Sequence, residues 1–101
     1  MWAQLIKVQM KPGAALSAVV DMLKAAEQPG SGLLRELFMH DQNDPESAYI
    51  LAVFESEERA RDREQDPRRA EGQQAIQELM AKVLAAPREF TDLTVTADWV
   101  P

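Results

Sequence analysis

The chain has 101 residues, 46% hydrophobic and 28% charged, with 17 acidic against 11 basic side chains and a formal net charge of −6. This is one domain over residues 1–101, long enough to bury its own core; its acidic balance disfavours nucleic acid, which needs many Lys and Arg contacts, and zero cysteines exclude disulfides, thiolate ligands and thiol nucleophiles together. No apolar run is long enough to span a bilayer, and the N-terminus MWAQLIKVQMK lacks the parts of a secretory signal, so the expectation is a cytoplasmic protein with no membrane partner.

From Ala3 to Lys11, Ile6, Val8 and Met10 alternate with Lys7, Gln9 and Lys11, the period of a strand, while Leu5 adds an apolar residue to the other face. Pro12-Gly13 ends it. Leu16, Val19, Val20, Leu23 and Ala26 recur at helical spacing and predict an amphipathic helix from about Ala14 to Glu27, stopped by Gln28-Pro29-Gly30-Ser31-Gly32. Leu33 to Asp41 predicts a second strand. Leu33, Leu37 and Met39 fall on one side and Leu34, Phe38 and His40 on the other, with Arg35 and Glu36 divided between them. The polar stretch Gln42 to Ser47 turns the chain back as an antiparallel hairpin.

The sharpest change of character lies between Ala48 and Glu71. Tyr49 to Phe54 is apolar at even and odd positions alike and reads as a strand covered on both faces. Ser56 is placed to accept hydrogen bonds from the free N–H groups of a helix beginning at Glu57. Within Glu57 to Asp66 the only apolar residue is Ala60, so this helix must lie on the surface, helped by the pair Glu57/Arg61. Asp66 and Pro67 suit an N-cap and a first helical residue, which predicts a bent or two-piece helix. Ile76, Leu79, Met80, Val83 and Leu84 then form one apolar stripe. Gly72 near its start costs about 1 kcal/mol relative to alanine, and fits either a close backbone contact or another bend. Ala86-Pro87 closes the helix, and Phe90 to Trp99 predicts a fourth strand, with Leu93, Val95, Ala97 and Trp99 against Thr94, Thr96 and Asp98.

The order βαββαβ suits a ferredoxin-like α+β sandwich with helices on one face of an antiparallel sheet. A sheet with water on its other face should alternate cleanly, apolar in and polar out. Leu5, Leu34, Phe38, Leu51 and Val53 exceed what one buried face needs. A second copy is the economical cover, which predicts a homodimer with its sheets packed face to face.

The βαββαβ order, the KPG after the first strand, the EQPG before the second and the run AYILAVFESEERARDREQDPRR resemble the antibiotic biosynthesis monooxygenase-like family of dimeric α/β barrels. The resemblance covers nearly the whole chain. It implies two ferredoxin-like chains pairing their sheets into a barrel, with the tail from Thr94 to Pro101 reaching the partner. Function varies across that family: some members oxygenate polycyclic phenols without metal or flavin, some open haem, and many have no assigned activity. Fold therefore cannot stand for reaction. The resemblance places a pocket between sheet and helices, where the family's tryptophan at the end of the third strand corresponds to Phe54. Where members carry a histidine in the second helix, this chain reads Asp66-Pro67-Arg68, and the haem-opening branch's asparagine in the first strand corresponds to Ile6. Haem opening is therefore not expected.

The resemblance implies a cofactor-independent monooxygenase acting on an apolar aromatic small molecule, with a non-catalytic ligand-binding or structural homodimer of the same fold as the alternative. His40, the sole histidine, has two readings: a general base that removes a phenolic proton, or a solvated residue beside Asp41 and a polar turn. Phe38 shares its strand face. Tyr49 and Arg35 fit either the orientation of a phenolate or ordinary barrel lining, and Arg35 falls opposite His40's face unless a bulge intervenes. Phe54 projects with Ile50 and Ala52 towards Met80, as core or as pocket wall. The expected site is thus His40 as catalytic base with Phe38, Tyr49, Phe54 and Met80 binding substrate. Arginines 59, 61, 63, 68 and 69 are interleaved with acids and read as a solvated, nearly neutral face. No metal-ligand spacing, phosphate-cradling glycine loop or Ser/His/Asp arrangement is visible, and no cofactor or metal is expected.

Overall fold

The computed structural model describes residues 1–101. Strands β1 (Trp2–Gln9), β2 (Leu33–His40), β3 (Ser47–Phe54) and β4 (Glu89–Thr94) form one sheet in the order β2-β3-β1-β4, every neighbouring pair antiparallel. Helices α1 (Leu16–Ala26), α2 (Glu57–Glu64) and α3 (Ala70–Val83) complete the βαββαβ order of a ferredoxin-like α+β fold. No helix is long and apolar enough to cross a membrane.

The second helical unit is in two pieces, for the local reasons its sequence carries. Ser56 Oγ accepts the Arg59 backbone N–H at 3.1 Å and starts α2. After α2, Asp66 accepts the Arg68 N–H at 2.9 Å, Pro67 follows, and the chain makes a 3₁₀ turn over Pro67–Arg69 before α3. Gly72 is settled as a close contact: a Cβ there would lie 2.7 Å from Ala26 Cβ, so glycine lets α3 approach α1, and α3 runs on without a break to Val83.

The core lies between the helices and one sheet face. Trp2, Val8, Ala48, Ile50, Ala52 and Phe54 point into it and are buried. On the other face Thr91, Leu5, Leu51 and Leu37 form one cross-strand row, and Leu93, Ala3, Val53 and Arg35 the next. Leu5, Leu37, Leu51 and Val53 stay half-buried there, and Leu34, Met39 and Leu93 are exposed.

Two expectations need correction. The register shifts between Leu33 and Arg35, so Leu33 sits opposite Phe54 and packs on the core, whereas exposed Leu34 joins Arg35 on the other face. One extra residue in a strand reverses side-chain parity on either side of it. The fourth strand stops at Thr94 and does not reach Trp99. Thr94 pairs with Trp2, the first residue of β1, and beyond that pair the ladder continues only as a Val95 N–H to Met1 carbonyl hydrogen bond at 3.4 Å. Trp99 is 83% exposed.

Candidate functional site

A cleft of about 420 Å³ opens between the helix-facing side of the sheet and the α2–α3 unit. Its position follows from two adjacent rows across the sheet. In one row Phe90, Ile6, Ile50 and Phe38 are aligned; in the next, Asp92, Gln4, Ala52 and Glu36. Ala52, at the centre of the second row, is too small to fill the space under α3. Ile6, Ile50 and Phe54 form the rest of an apolar floor, and Ile76 and Met80 of α3 face it. Gln4, Glu36, Arg63, Arg69, Gln73 and Gln77 supply polar groups.

The charged groups are unequally satisfied. Arg63 donates through Nη2 (2.7 Å) and Nε (3.3 Å) to Glu27 Oε2, and its guanidinium lies 5.6 Å from the centroid of the Phe54 ring. Burial pushes the Glu27 carboxyl up, but hydrogen bonds from Arg63, Ser31 and the Gln28 backbone outweigh it and hold Glu27 below the usual carboxylate range. Arg69 is 4% exposed. Its Nη1 donates to the Arg63 carbonyl at 3.3 Å, no carboxylate lies within ion-pair distance, and its buried Nε has no partner. Burial, and then the neighbouring Arg63 charge, pull its pKa down, although a guanidinium keeps its proton in any protein setting. Glu36 is half-buried and has neither a hydrogen bond nor an ion pair. Burial raises its pKa against the opposing pull of Arg63 and Arg69.

Of the residues expected at the site, Phe54 and Met80 line the cleft together. Phe38 shares the face but lies beside the cleft, half-buried opposite Ile50. His40 is exposed at the end of the same strand face, opposite Ala48. Tyr49 points to the other side of the sheet, between Lys7 and Met39. Arg35 also faces that side, because the bulge precedes it and the alternation from Arg35 to His40 is unbroken. Glu36 and Arg69 were not anticipated. Glu36 was legible from parity, since it shares a face with Phe38 and His40. The solvated arginine face needs correction: Arg68 is exposed and Arg59 and Arg61 are partly so, but the Arg63 side chain is only 11% exposed and Arg69 is buried. The break at Asp66-Pro67 turns the chain so that Arg69 points inward, which no count of alternating charges reveals. No group of three or more His, Cys, Asp or Glu side chains is placed to hold a metal ion.

Fold and cleft together define a ferredoxin-like α+β unit with a small-molecule-sized hollow between sheet and helices. No family model matches the sequence, and no curated protein matches it. Solved structures do match. SnoaB, a cofactor-independent oxygenase from Streptomyces nogalater, superposes with a TM-score of 0.70 over 96% of this chain and 94% of its own, at 13% identity. Rv0793 from Mycobacterium tuberculosis gives 0.71 over 96% of each chain at 14% identity. A protein described as an antibiotic biosynthesis monooxygenase gives 0.66 over 100% of both chains, also at 14%. The chain thus has the fold of the antibiotic biosynthesis monooxygenase proteins, as the sequence resemblance implied.

Proposed function

We propose that the protein is a cytoplasmic homodimer whose cleft binds an apolar aromatic small molecule and oxygenates it without a cofactor. The observation that carries the reading is the cleft itself: an apolar floor of Ile6, Ile50, Ala52 and Phe54 beside a half-buried carboxyl, Glu36, that has no protein partner. A carboxyl whose proton is held more tightly than usual is a better base towards a weakly acidic phenol or anthrone than an ordinary one. The likeness in fold to a cofactor-independent oxygenase supports the reaction class.

For an anthrone the chemistry balances with dioxygen as the only oxidant. Glu36 takes a proton from the ring methylene, leaving an electron-rich anion. That anion passes one electron to dioxygen, and the resulting pair combines to form a C–O bond. After protonation of the terminal oxygen, loss of the second hydrogen from the same carbon breaks the O–O bond. A carbonyl forms, and the departing hydroxide takes up a proton to become water. The substrate supplies all four electrons, so no metal or flavin enters. His40 is a second base on the same strand face, but it lies in solvent outside the cleft, and the cleft favours Glu36.

Anaerobic and aerobic incubation with anthrones and polycyclic phenols, following quinone absorbance and oxygen uptake together, tests this. Oxygen-dependent quinone formation is expected, falling by about 100-fold or more in Glu36→Gln and little in His40→Ala. The reverse ranking would transfer the base to His40. Saturable spectral shifts without oxygen uptake would mean a binding protein.

The dimer is supported by the open sheet face, where Leu5, Leu37, Leu51 and Val53 lie unburied by any helix of the chain, and by the exposed Trp99 and Val100 beyond it. Such a contiguous apolar face is a contact surface rather than a solvated one.

A further inference from the structure

The least satisfied polar group in the protein stands at the cleft. Arg69 is 4% exposed, and a buried guanidinium normally has its donors filled, because each unpaired one costs the hydrogen bonds it made in water. Here the one protein partner, the Arg63 carbonyl, engages Nη1 alone. Nε is buried without a partner, and Nη2 has none either. The Nε–H and Nη2–H bonds lie along one edge of the planar group, roughly parallel, and that is the edge a carboxylate meets with both its oxygens.

Arg88 also lines the cleft without a carboxylate partner, its guanidinium 5.2 Å from the centroid of the Phe90 ring, but it is only half-buried and water can fill its donors. Arg63 is committed to Glu27, and Arg68 is committed to Asp66 at 2.7 Å. Glu36, the acid nearest in kind, makes no ion pair with Arg69. A buried, unfilled cationic edge beside a predominantly apolar floor calls for a negative charge on an apolar body.

We infer that the cleft recognises an aromatic monocarboxylate, with the carboxylate seated on the Nε/Nη2 edge of Arg69 and the ring lying over Ile50, Ala52 and Phe54 opposite Met80. This rests on the reading of the cleft as a ligand site and narrows its substrate class. It assigns to Arg69 the task of reading the ligand's charge, apart from any chemistry at Glu36.

The test is binding, not turnover. Isothermal titration compares 2-naphthoate, its methyl ester and 2-naphthyl phosphate at pH 7 with the full chain. The acid should bind about tenfold or more tightly than the ester, and the phosphate no better than the acid. Arg69→Met should bring acid and ester to near-equal affinity, chiefly by weakening the acid, and Arg69→Lys should keep part of the preference. Equal affinities in the unaltered protein would overturn the charge-reading role and leave the apolar cleft standing. Tighter binding of the phosphate would overturn the carboxylate. Binding of none of the three would remove the cleft as a ligand site and the proposal with it. Loss of ester binding as well, with a lowered melting temperature in Arg69→Met, would make Arg69 a support for the Arg63 carbonyl only, also against the proposal.

Discussion

At the scale of residues, function hangs on which polar groups have been left without partners. Glu27 and Arg63 satisfy each other; Glu36 and Arg69, in the same cleft, do not. For Glu36 this has a consequence in stability. Its folded pKa lies above the unfolded value, so between those two pH values the native state holds a proton that the unfolded chain has released. Stability therefore falls as pH rises through that window and stays lowered above it. The amide introduced by Glu36→Gln mimics the protonated acid without ever ionising. The variant should match the unaltered protein at about pH 4, where a carboxyl of raised pKa is protonated, and be the more stable of the two at pH 7, as measured by urea melts. Glu27 has the opposite sign, losing its contribution as pH falls, but it is present in both proteins and cancels. A gap that stays constant with pH would contradict the buried-acid reading.

At the scale of elements, the helices are positioned by small residues as much as by large ones. Val19 and Ala26 of α1 and Ile76 and Met80 of α3 form one buried cluster. That packing brings Gly72 close to Ala26. In an exposed helix, Gly72→Ala would gain about 1 kcal/mol from backbone entropy. Here the added methyl would meet Ala26 Cβ at 2.7 Å, and forcing a methyl into a filled contact typically costs about 1–3 kcal/mol. Net destabilisation is expected by thermal melting, and Ala26→Gly in the same chain should recover most of it. If Gly72→Ala alone stabilised the protein, the close approach of α3 to α1 would not be real. Much of this layer was legible in advance. The caps at Ser56 and Asp66, the helix restart and the apolar stripe through Ile76 and Met80 are each set by residues within a few positions of one another. The bulge at Leu34 was not, because a single inserted residue leaves the composition of a strand unchanged and shows only in its pairing.

At the scale of the whole molecule, the sheet has one face committed to the core and one left apolar without a helix over it. Leu51 stands at the middle of that second face, opposite Leu5 on one side and Leu37 on the other. Light scattering at micromolar concentration should give the mass of two chains. Leu51→Asp should give one, still folded by circular dichroism, since a charge on that face is solvated in a monomer and unpaired in a face-to-face dimer. A single-chain mass for the unaltered protein would remove the dimer. Steering belongs to this scale as well: a net charge of −6 repels a carboxylate at long range, so the preference inferred at Arg69 should be expressed in residence within the cleft more than in the speed of arrival.

What the sequence determined by itself is what backbone geometry makes periodic or local. Alternation by two marks strands, recurrence at three and four marks helices, and a capping side chain acts over three residues. Hence the βαββαβ order, the two-piece second helix and the surplus of apolar residues on the sheet could all be read along the chain. What only the tertiary structure decided is which side chains meet after those elements pack. Arg69 looks like any other surface arginine until the turn at Pro67 carries it under α3. Glu36 becomes a poorly solvated acid because the helical layer packs over its row of the sheet and half-buries it. His40 and Tyr49, chemically the most suggestive residues along the chain, end up in solvent and on the far face. Burial and partnership are properties of contacts between distant segments, and no local pattern encodes them.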